Sequence, residues 1–305
     1  MNQSDFISTI DIKSILSLLW DKKIFITLTV SIFALISIIY ALSLPNIYTS
    51  KTLLAPSKNE NSITSNMGSL SSLASIGGFN LPNEGVSKTQ EAIERIKSFD
   101  FFTKYFLPNV RLEDMMAVKK WIPESNTLIY DDEIFDENKG GWLQSSKTKS
   151  IPTKQDAYKK YKDILKISEN ASTFFVSLSI DHESPFIAKQ WVDIIVLNIN
   201  ESMREQDKVY AQSSIDFLEE QFTYVNIQTI KDAISNLLEN QIQVLMMASS
   251  NQAYVFEVLD SSFVPEEKSR PSRALICILG TILGSVFAIL FVLIRYFFNP
   301  KEENN

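Results

Sequence analysis

Two stretches of this chain carry no charge at all, Ile24 to Ser50 near one end and Ala274 to Ile294 near the other. Each supplies about 20 apolar-rich positions, the length a helix needs to cross roughly 30 Å of hydrocarbon. The pattern predicts a chain that crosses a membrane twice, with every charge in two short tails or in the middle. A mean hydropathy of +0.00 therefore averages two populations rather than describing one. Outside residues 45–273, Lys13, Lys22, Lys23, Arg295 and Lys301 balance Asp5, Asp11, Asp21, Glu302 and Glu303. The whole net charge of −7 thus belongs to the segment between the spans.

That balance excludes several function classes. An acidic domain without a basic stripe argues against nucleic acid as a partner. The one cysteine, Cys277, lies inside the second span, which leaves no intramolecular disulfide and no multi-cysteine metal site. One histidine, His182, is too few for a zinc cluster. No GxxxxGK[ST] phosphate cradle occurs anywhere in the chain. No catalytic residue, metal ligand or cofactor site is expected.

Ala41-Leu42-Ser43 looks like a cleavage site, but the apolar run before it exceeds the 7–15 residues of a signal peptide, so a retained span is expected. Lys22 and Lys23, with Trp20 as an interfacial ring, favour a cytoplasmic N-terminus. A second span returns the C-terminus to the same side, and the middle then lies outside the cytoplasm. The tail from Tyr296 to Asn305 is too short for the output domain of a two-span sensor. The expected organisation is a leader at 1–23, a first span at 24–44, a domain at 45–273, a second span at 274–294 and a tail at 295–305.

Within the middle, residues 47–55 (IYTSKTLLA) alternate and contain β-branched side chains, so they read as a strand stopped by Pro56. Residues 57–85 have a Ser/Asn/Gly loop composition, with Leu70, Leu73 and Ile76 recurring among small residues. Ser87 and Gln90 form a capping-box pattern for a helix running to Phe106, ended by Pro108. A short helix with Met115, Met116 and Val118 follows. The acidic patch Asp131, Asp132, Glu133, Asp136 and Glu137 lacks calcium-loop spacing and reads as a solvated loop. Thr153 and Asp156 cap another helix with Ala157, Tyr161 and Leu165 on one face, and TFFVSLSI, residues 173–180, reads as a strand.

The longest signal starts at Ser184-Pro185, which has the chemistry of a helix opening. Apolar residues recur at helical spacing to Leu245, with no proline between Pro185 and Pro265. A largely helical stretch over about 185–248 would reach up to roughly 95 Å. A break is expected near Glu205–Tyr210, where the apolar stripe thins. Part of this helix must project, and its stripe of Ile215, Leu218, Phe222 and Val225 asks for a covering partner, hence an oligomer. Residues 253–260 (AYVFEVLD) read as a last strand, pairing with 47–55 in a small sheet at the membrane base.

Several of these segments resemble the Wzz-type polysaccharide chain length determinants, co-polymerases without a kinase domain. The resemblance rests on IDIKSILSLLWDKK before the first span, YTSKTLLAP after it, SLSSLASIGG, SIDHESPFIAKQWVDIIVLNIN, and LENQIQVLMMASSNQAYVFEVLDSSFVPEEKSRPSRA. The family's approach to the second span is often richer in proline, whereas here only Pro265 and Pro271 stand there. The resemblance implies an α+β fold, with two membrane helices flanking a periplasmic domain that has a membrane-proximal sheet and a long protruding helix. It further implies a two-pass protein of the bacterial inner membrane with both termini cytoplasmic, assembled as a homo-oligomeric ring. Such proteins are not catalysts: they set the number of repeat units that a separate polymerase adds to O-antigen as the lipid-linked glycan grows. An export-side co-polymerase for capsule, enterobacterial-common-antigen-like or exopolysaccharide is the alternative. Larger relatives of that kind carry a tyrosine kinase.

Three features are candidate sites. Gly280-x-x-x-Gly284 lets membrane helices approach closely, either within one protomer or against another protomer or the polymerase. Pro265 and Pro271 fix an extended or kinked path into the second span. His182, between Asp181 and Glu183, reads as a solvated or capping histidine, with a pH-sensing or catalytic role as the alternative.

Overall fold

The computed structural model describes residues 18–57, 87–143, 151–250 and 253–298. The segment 58–86, which contains the Leu70, Leu73 and Ile76 pattern, and most of the leader lie outside the described residues. The chain divides into two compact units, one made of residues 1–46 with 269–305 and the other of residues 47–268.

The first unit is a pair of helices, α1 (Lys23–Ser43) and a C-terminal partner introduced last below, both long and apolar enough to cross a membrane. Lys23 places its Nζ 4.9 Å from the Trp20 ring centre, at the charged end of α1.

The second unit is built on a four-stranded antiparallel sheet. Its strands are β1 (Tyr48–Pro56), the hairpin β6 (Leu165–Glu169) with β7 (Val176–His182), and β8 (Phe256–Asp260), in the order β6-β7-β1-β8. Before the hairpin come α2 (Lys88–Lys97), α3 (Leu112–Met116), β2 (Val118–Ile122), β3 (Thr127–Tyr130), the two-residue strands β4 (Phe135–Asp136) and β5 (Gly141–Trp142), and α4 (Lys154–Ile164). After it come α5 (Pro185–Tyr224) and α6 (Gln228–Ser250), and α7 (Arg273–Phe298) is the second apolar helix. The α+β class expected from the sequence is the class observed.

Local chemistry explains the starts. Thr153 and Asp156 form a reciprocal capping box on α4, and Pro185 occupies the first turn of α5 where its missing N–H costs nothing. The sheet obeys a period of two: Val176, Leu178 and Ile180 are buried while Ser177 and Ser179 are half-buried. Trp191, Val192, Ile195 and Ile199 of α5 join these residues in one core with Ile96, Phe101, Phe102, Phe106 and Tyr161. Phe106 stands at 4.8 Å from Tyr161 and edge-on to Trp191 at 5.6 Å. Each such buried ring contributes roughly 1.5–3 kcal/mol relative to exposure.

Five local expectations need correction. The helix from Ser87 does not run unbroken to Phe106: Ser98 turns extended and caps a new turn, which passes through a π-turn at Phe102–Phe106. Val118 belongs to β2 rather than to the short helix, and Leu165 opens β6 rather than extending α4. The strand β7 starts at Val176, because the Asn170 carboxamide accepts the Ser172 and Thr173 N–H groups and turns the chain there. Finally, α5 passes through Glu205–Tyr210 without interruption. Charges thin the apolar stripe at that point, but they pair within the helix or just beside it: Lys208 with Glu205, Arg204 with Glu201, and Asp207 with Lys88. The break falls instead at 225–227, where Val225 turns extended, and α6 packs back along α5. The projection is therefore a hairpin of two helices.

One buried side chain ties this hairpin to the sheet. The Asn200 carboxamide oxygen accepts the N–H groups of Val255 (2.8 Å) and Phe256 (2.9 Å), and its NH2 donates to the carbonyls of Val196 and Phe256. Asn200→Ala leaves two buried donors without this acceptor and should destabilise the chain by about 2–4 kcal/mol. Denaturant titration of the detergent-solubilised protein checks this, and a loss below about 0.5 kcal/mol would show the anchor to be dispensable.

Candidate functional site

The candidate site residues fall in three places. In the helix pair, Gly280 and Gly284 both lie against α1. A Cβ on Gly280 would come within 1.7 Å of Ser37 Oγ, and one on Gly284 within 2.6 Å of Phe33 Cβ. The glycines thus set the closest approach of α7 to α1 within one chain. Phe25 stacks on Phe291 at 5.5 Å, and Phe33 meets Phe287 at 5.6 Å along the same contact. Arg273 closes the end of the pair, donating from Nε to the Ala41 carbonyl and from Nη2 to Asn46 Oδ1. A cation at the last carbonyls of a helix also meets the negative end of its dipole. Pro271 precedes α7 and follows a cis peptide bond from Arg270, whereas Pro265 is a buried residue of the 47–268 unit.

The second place is the corner between β7 and α5. His182 is 3% exposed, so it is not solvated. Its Nδ1 accepts the Ser184 N–H at 2.9 Å, which leaves the proton on Nε2 to be donated to the Asp114 carbonyl, also at 2.9 Å. The ring stands edge-on to Trp191 at 4.8 Å. Burial lowers its pKa below the ordinary 6.5, against the opposing pull of Glu183, whose Oε2 lies 3.9 Å from Nε2. Both ring nitrogens are committed to backbone groups at the opening of the long helix, so this histidine holds structure.

The third place is the helical hairpin. Ile215 on α5 and Ile234 on α6 are both buried, and Leu218 and Leu237 line one shallow groove between the helices. Phe222 packs its ring 5.2 Å from Lys231 Nζ, and Val225 is half-buried in the turn. Much of the stripe that seemed to require another chain is covered by α6. At the foot of the hairpin a cluster escaped sequence reading: Asp207 Oδ2 accepts from Lys88 Nζ and from Tyr254 Oη, both at 2.5 Å. Burial first, and then this carboxylate, push the Tyr254 hydroxyl well above its usual range. The three residues lie 47 or more positions apart, and no spacing rule finds them. Among the described residues no group of three or more His, Cys, Asp or Glu side chains is placed to hold a metal ion.

Two outcomes are expected from this geometry. Replacing Gly284 by Leu should force α1 and α7 apart. With Cys277 changed to Ser, the oxidative cross-link between Phe25→Cys and Phe291→Cys should then fall well below its yield in the Gly284 background. Because His182 is the one histidine in the chain, its linkage is readable in isolation. A depressed folded pKa means the unfolded state takes the proton first, so stability is constant above about pH 6.5 and declines as pH falls below it, by at most about 1.4 kcal/mol per pH unit. Unfolding midpoints between about pH 7.5 and pH 5 should show this slope, and His182→Asn should flatten it.

Comparisons with known proteins bear on the same elements. Residues 8–107 match the family model Wzz, described as chain length determinant protein. Residues 226–297 match the model GNVR, described as “G-rich domain on putative tyrosine kinase”. Curated protein sequences give no match. Among solved structures, the chain is similar to a full-length bacterial polysaccharide co-polymerase, with 13% identity, a TM-score of 0.40, and coverage of 95% of this chain and 98% of that one. It is also similar to a fragment of WzzB, a polysaccharide co-polymerase from Salmonella Typhimurium, with 12% identity, a TM-score of 0.31, and coverage of 74% and 100%. The first family model spans α1, β1 and α2, and the second runs from the hairpin turn through α6 and β8 into α7. On these two matches, the chain carries a Wzz chain length determinant domain over residues 8–107 and a GNVR domain over residues 226–297.

Proposed function

We propose that this protein is a non-catalytic scaffold that sets the modal number of repeat units a separate polymerase adds to a lipid-linked glycan of the O-antigen type. The observation that carries the reading is the arrangement of its parts. A domain with a long helical projection lies in the chain between two apolar helices, and the chain-length-determinant match takes in the first of them. Polymerisation of a lipid-linked glycan takes place at the membrane surface, and a domain anchored at both of its ends is held at that surface.

The protein sits in the bacterial inner membrane with both termini in the cytoplasm and the 47–268 unit in the periplasm. Lys22 and Lys23, beside Trp20 at the start of α1, support that orientation. It works as a closed homo-oligomeric ring beside its polymerase. The GNVR match favours a second reading, an export-side co-polymerase that acts with a separate tyrosine kinase in capsule or exopolysaccharide synthesis.

A gel of surface polysaccharide from a deletion strain separates the two. The scaffold reading expects polymer to remain while its modal banding disappears, and expects this chain in trans to restore the band. Loss of all polymer would sink it in favour of the export reading.

A further inference from the structure

The outer half of α5 carries a stripe that the hairpin does not cover. Tyr210, Phe217 and Tyr224 recur every seven residues and are 63%, 60% and 72% exposed. Seven residues advance a helix by about 10.5 Å and return to the same face within about 20°. Three rings therefore stand in a row along the projection.

The positions between them decide what this row suits. A seam between two helices needs a second apolar residue three or four places on from each first one. Here those places hold Ser213, Ser214, Glu220 and Gln221. Pressed against another helix, their hydroxyls, carboxylate and amide would lose water without a matched partner, at a cost of kilocalories each. A second copy of this chain is therefore a poor occupant. A pyranose chain is a good one, because each sugar ring offers an apolar C–H face to an aromatic ring and a rim of hydroxyls to polar side chains. A ring-to-ring step of about 10.5 Å is close to the reach of two pyranose units in an extended glycan. Beside the stripe, a groove of about 360 Å³ opens between Tyr210, Ser214 and Phe217 on α5 and Leu237 and Gln241 on α6. Asp216, Glu219 and Glu220 lie on the same turns, and their charge accepts hydroxyl donors but repels carboxylates.

We propose that an extended, uncharged glycan lies along α5, with sugar rings stacked on Tyr210, Phe217 and Tyr224 and hydroxyls bonded to Ser213, Ser214 and Gln241. This rests on the reading that the domain acts on a growing polysaccharide, and it makes the projection a binding track with regular spacing.

The test uses the full chain in nanodiscs and two probes, the delipidated surface polysaccharide of the producing cells and alginate oligomers as an acidic control. Saturable binding of the first and none of the second is expected. Tyr210→Ala, Phe217→Ala and Tyr224→Ala should each weaken binding roughly threefold to tenfold, and the triple variant should abolish it. Tyr210→Phe should retain binding, as should Val209→Ala, an equally exposed change off the stripe. Unchanged binding in the triple variant overturns the proposal, and so does alginate binding as tight as that of the first probe. A smaller particle for the triple variant in light scattering assigns the stripe to a second copy and overturns it equally. If deletion of the chain abolishes the modal band but the triple variant keeps it, only this proposal fails. If deletion leaves the band intact, the scaffold reading fails as well.

Discussion

The antiparallel pairing of β1 with β8 joins residues about two hundred positions apart, Leu53 with Asp260 and Pro56 with Phe256. Because the two strands run in opposite directions, residues entering β1 and residues leaving β8 lie at the same end of the sheet. The inner face of β1 suits this task more than packing. Ser50 and Thr52 are buried hydroxyls, and they donate to the carbonyls of Phe263 and Asp260. The polar atoms that burial would penalise are thus spent holding the returning chain. The helix pair solves the same problem by its own means, since Arg273 bonds Ala41 and Asn46. Each unit therefore brings the outgoing and returning strands of chain side by side, which a domain tethered at both ends requires.

From that pairing the projection follows. Asn200 on α5 holds the first residues of β8, so the long helix, the sheet and the returning chain share one buried polar node. Lys88, Asp207 and Tyr254 add a second tie a little farther out, joining the starts of α2 and of the return to the middle of α5. A partly exposed ion pair of this kind contributes little by itself, but with the Tyr254 hydroxyl it fixes where the hairpin leaves the core. Past this second tie at Asp207, α5 runs on with α6 packed along it.

How legible this was in the sequence varied with the range of the forces involved. The two long apolar helices were plain, because an uncharged apolar run of about 20 residues has few other ways to fold. The capping box at Thr153 and Asp156 and the Pro185 start were legible for the same reason, since each acts within one helical turn. The hairpin turn was not. Val225, Asn226 and Ile227 include neither glycine nor proline, and the weak stripe at Glu205–Tyr210 drew attention instead. Whether a helix runs on there depends on ion pairs and on Lys88 from another element, which no local pattern contains. For His182 the capping half of the reading holds, since Nδ1 accepts the Ser184 N–H at the helix opening, but the solvated half fails: two acidic neighbours suggest solvent, while Trp191 and the Asp114 carbonyl, distant in sequence, bury it. The Gly280 and Gly284 spacing announced close helix packing but left the partner open, and only the structure places Ser37 and Phe33 against it.

The fold-back at 225–227 also changes what the projection can offer. A single exposed helix with its whole apolar stripe bare would have to be covered by other chains before it could stand in water. With Ile215 buried opposite α6, much of the side facing the hairpin is satisfied within one protomer. The rings that remain bare are separated by serine, glutamate and glutamine, so the outer surface is an alternation of apolar faces and hydrogen-bonding groups rather than a continuous apolar strip. Such a surface is stable while wet, because each ring is an isolated exposure of a kind any soluble protein tolerates. It is also open to a ligand that is itself amphipathic at the scale of one ring. By closing on itself, the hairpin frees α5 from the need for a protein partner along this line and leaves the ring spacing, set by the helix repeat, as its most regular feature.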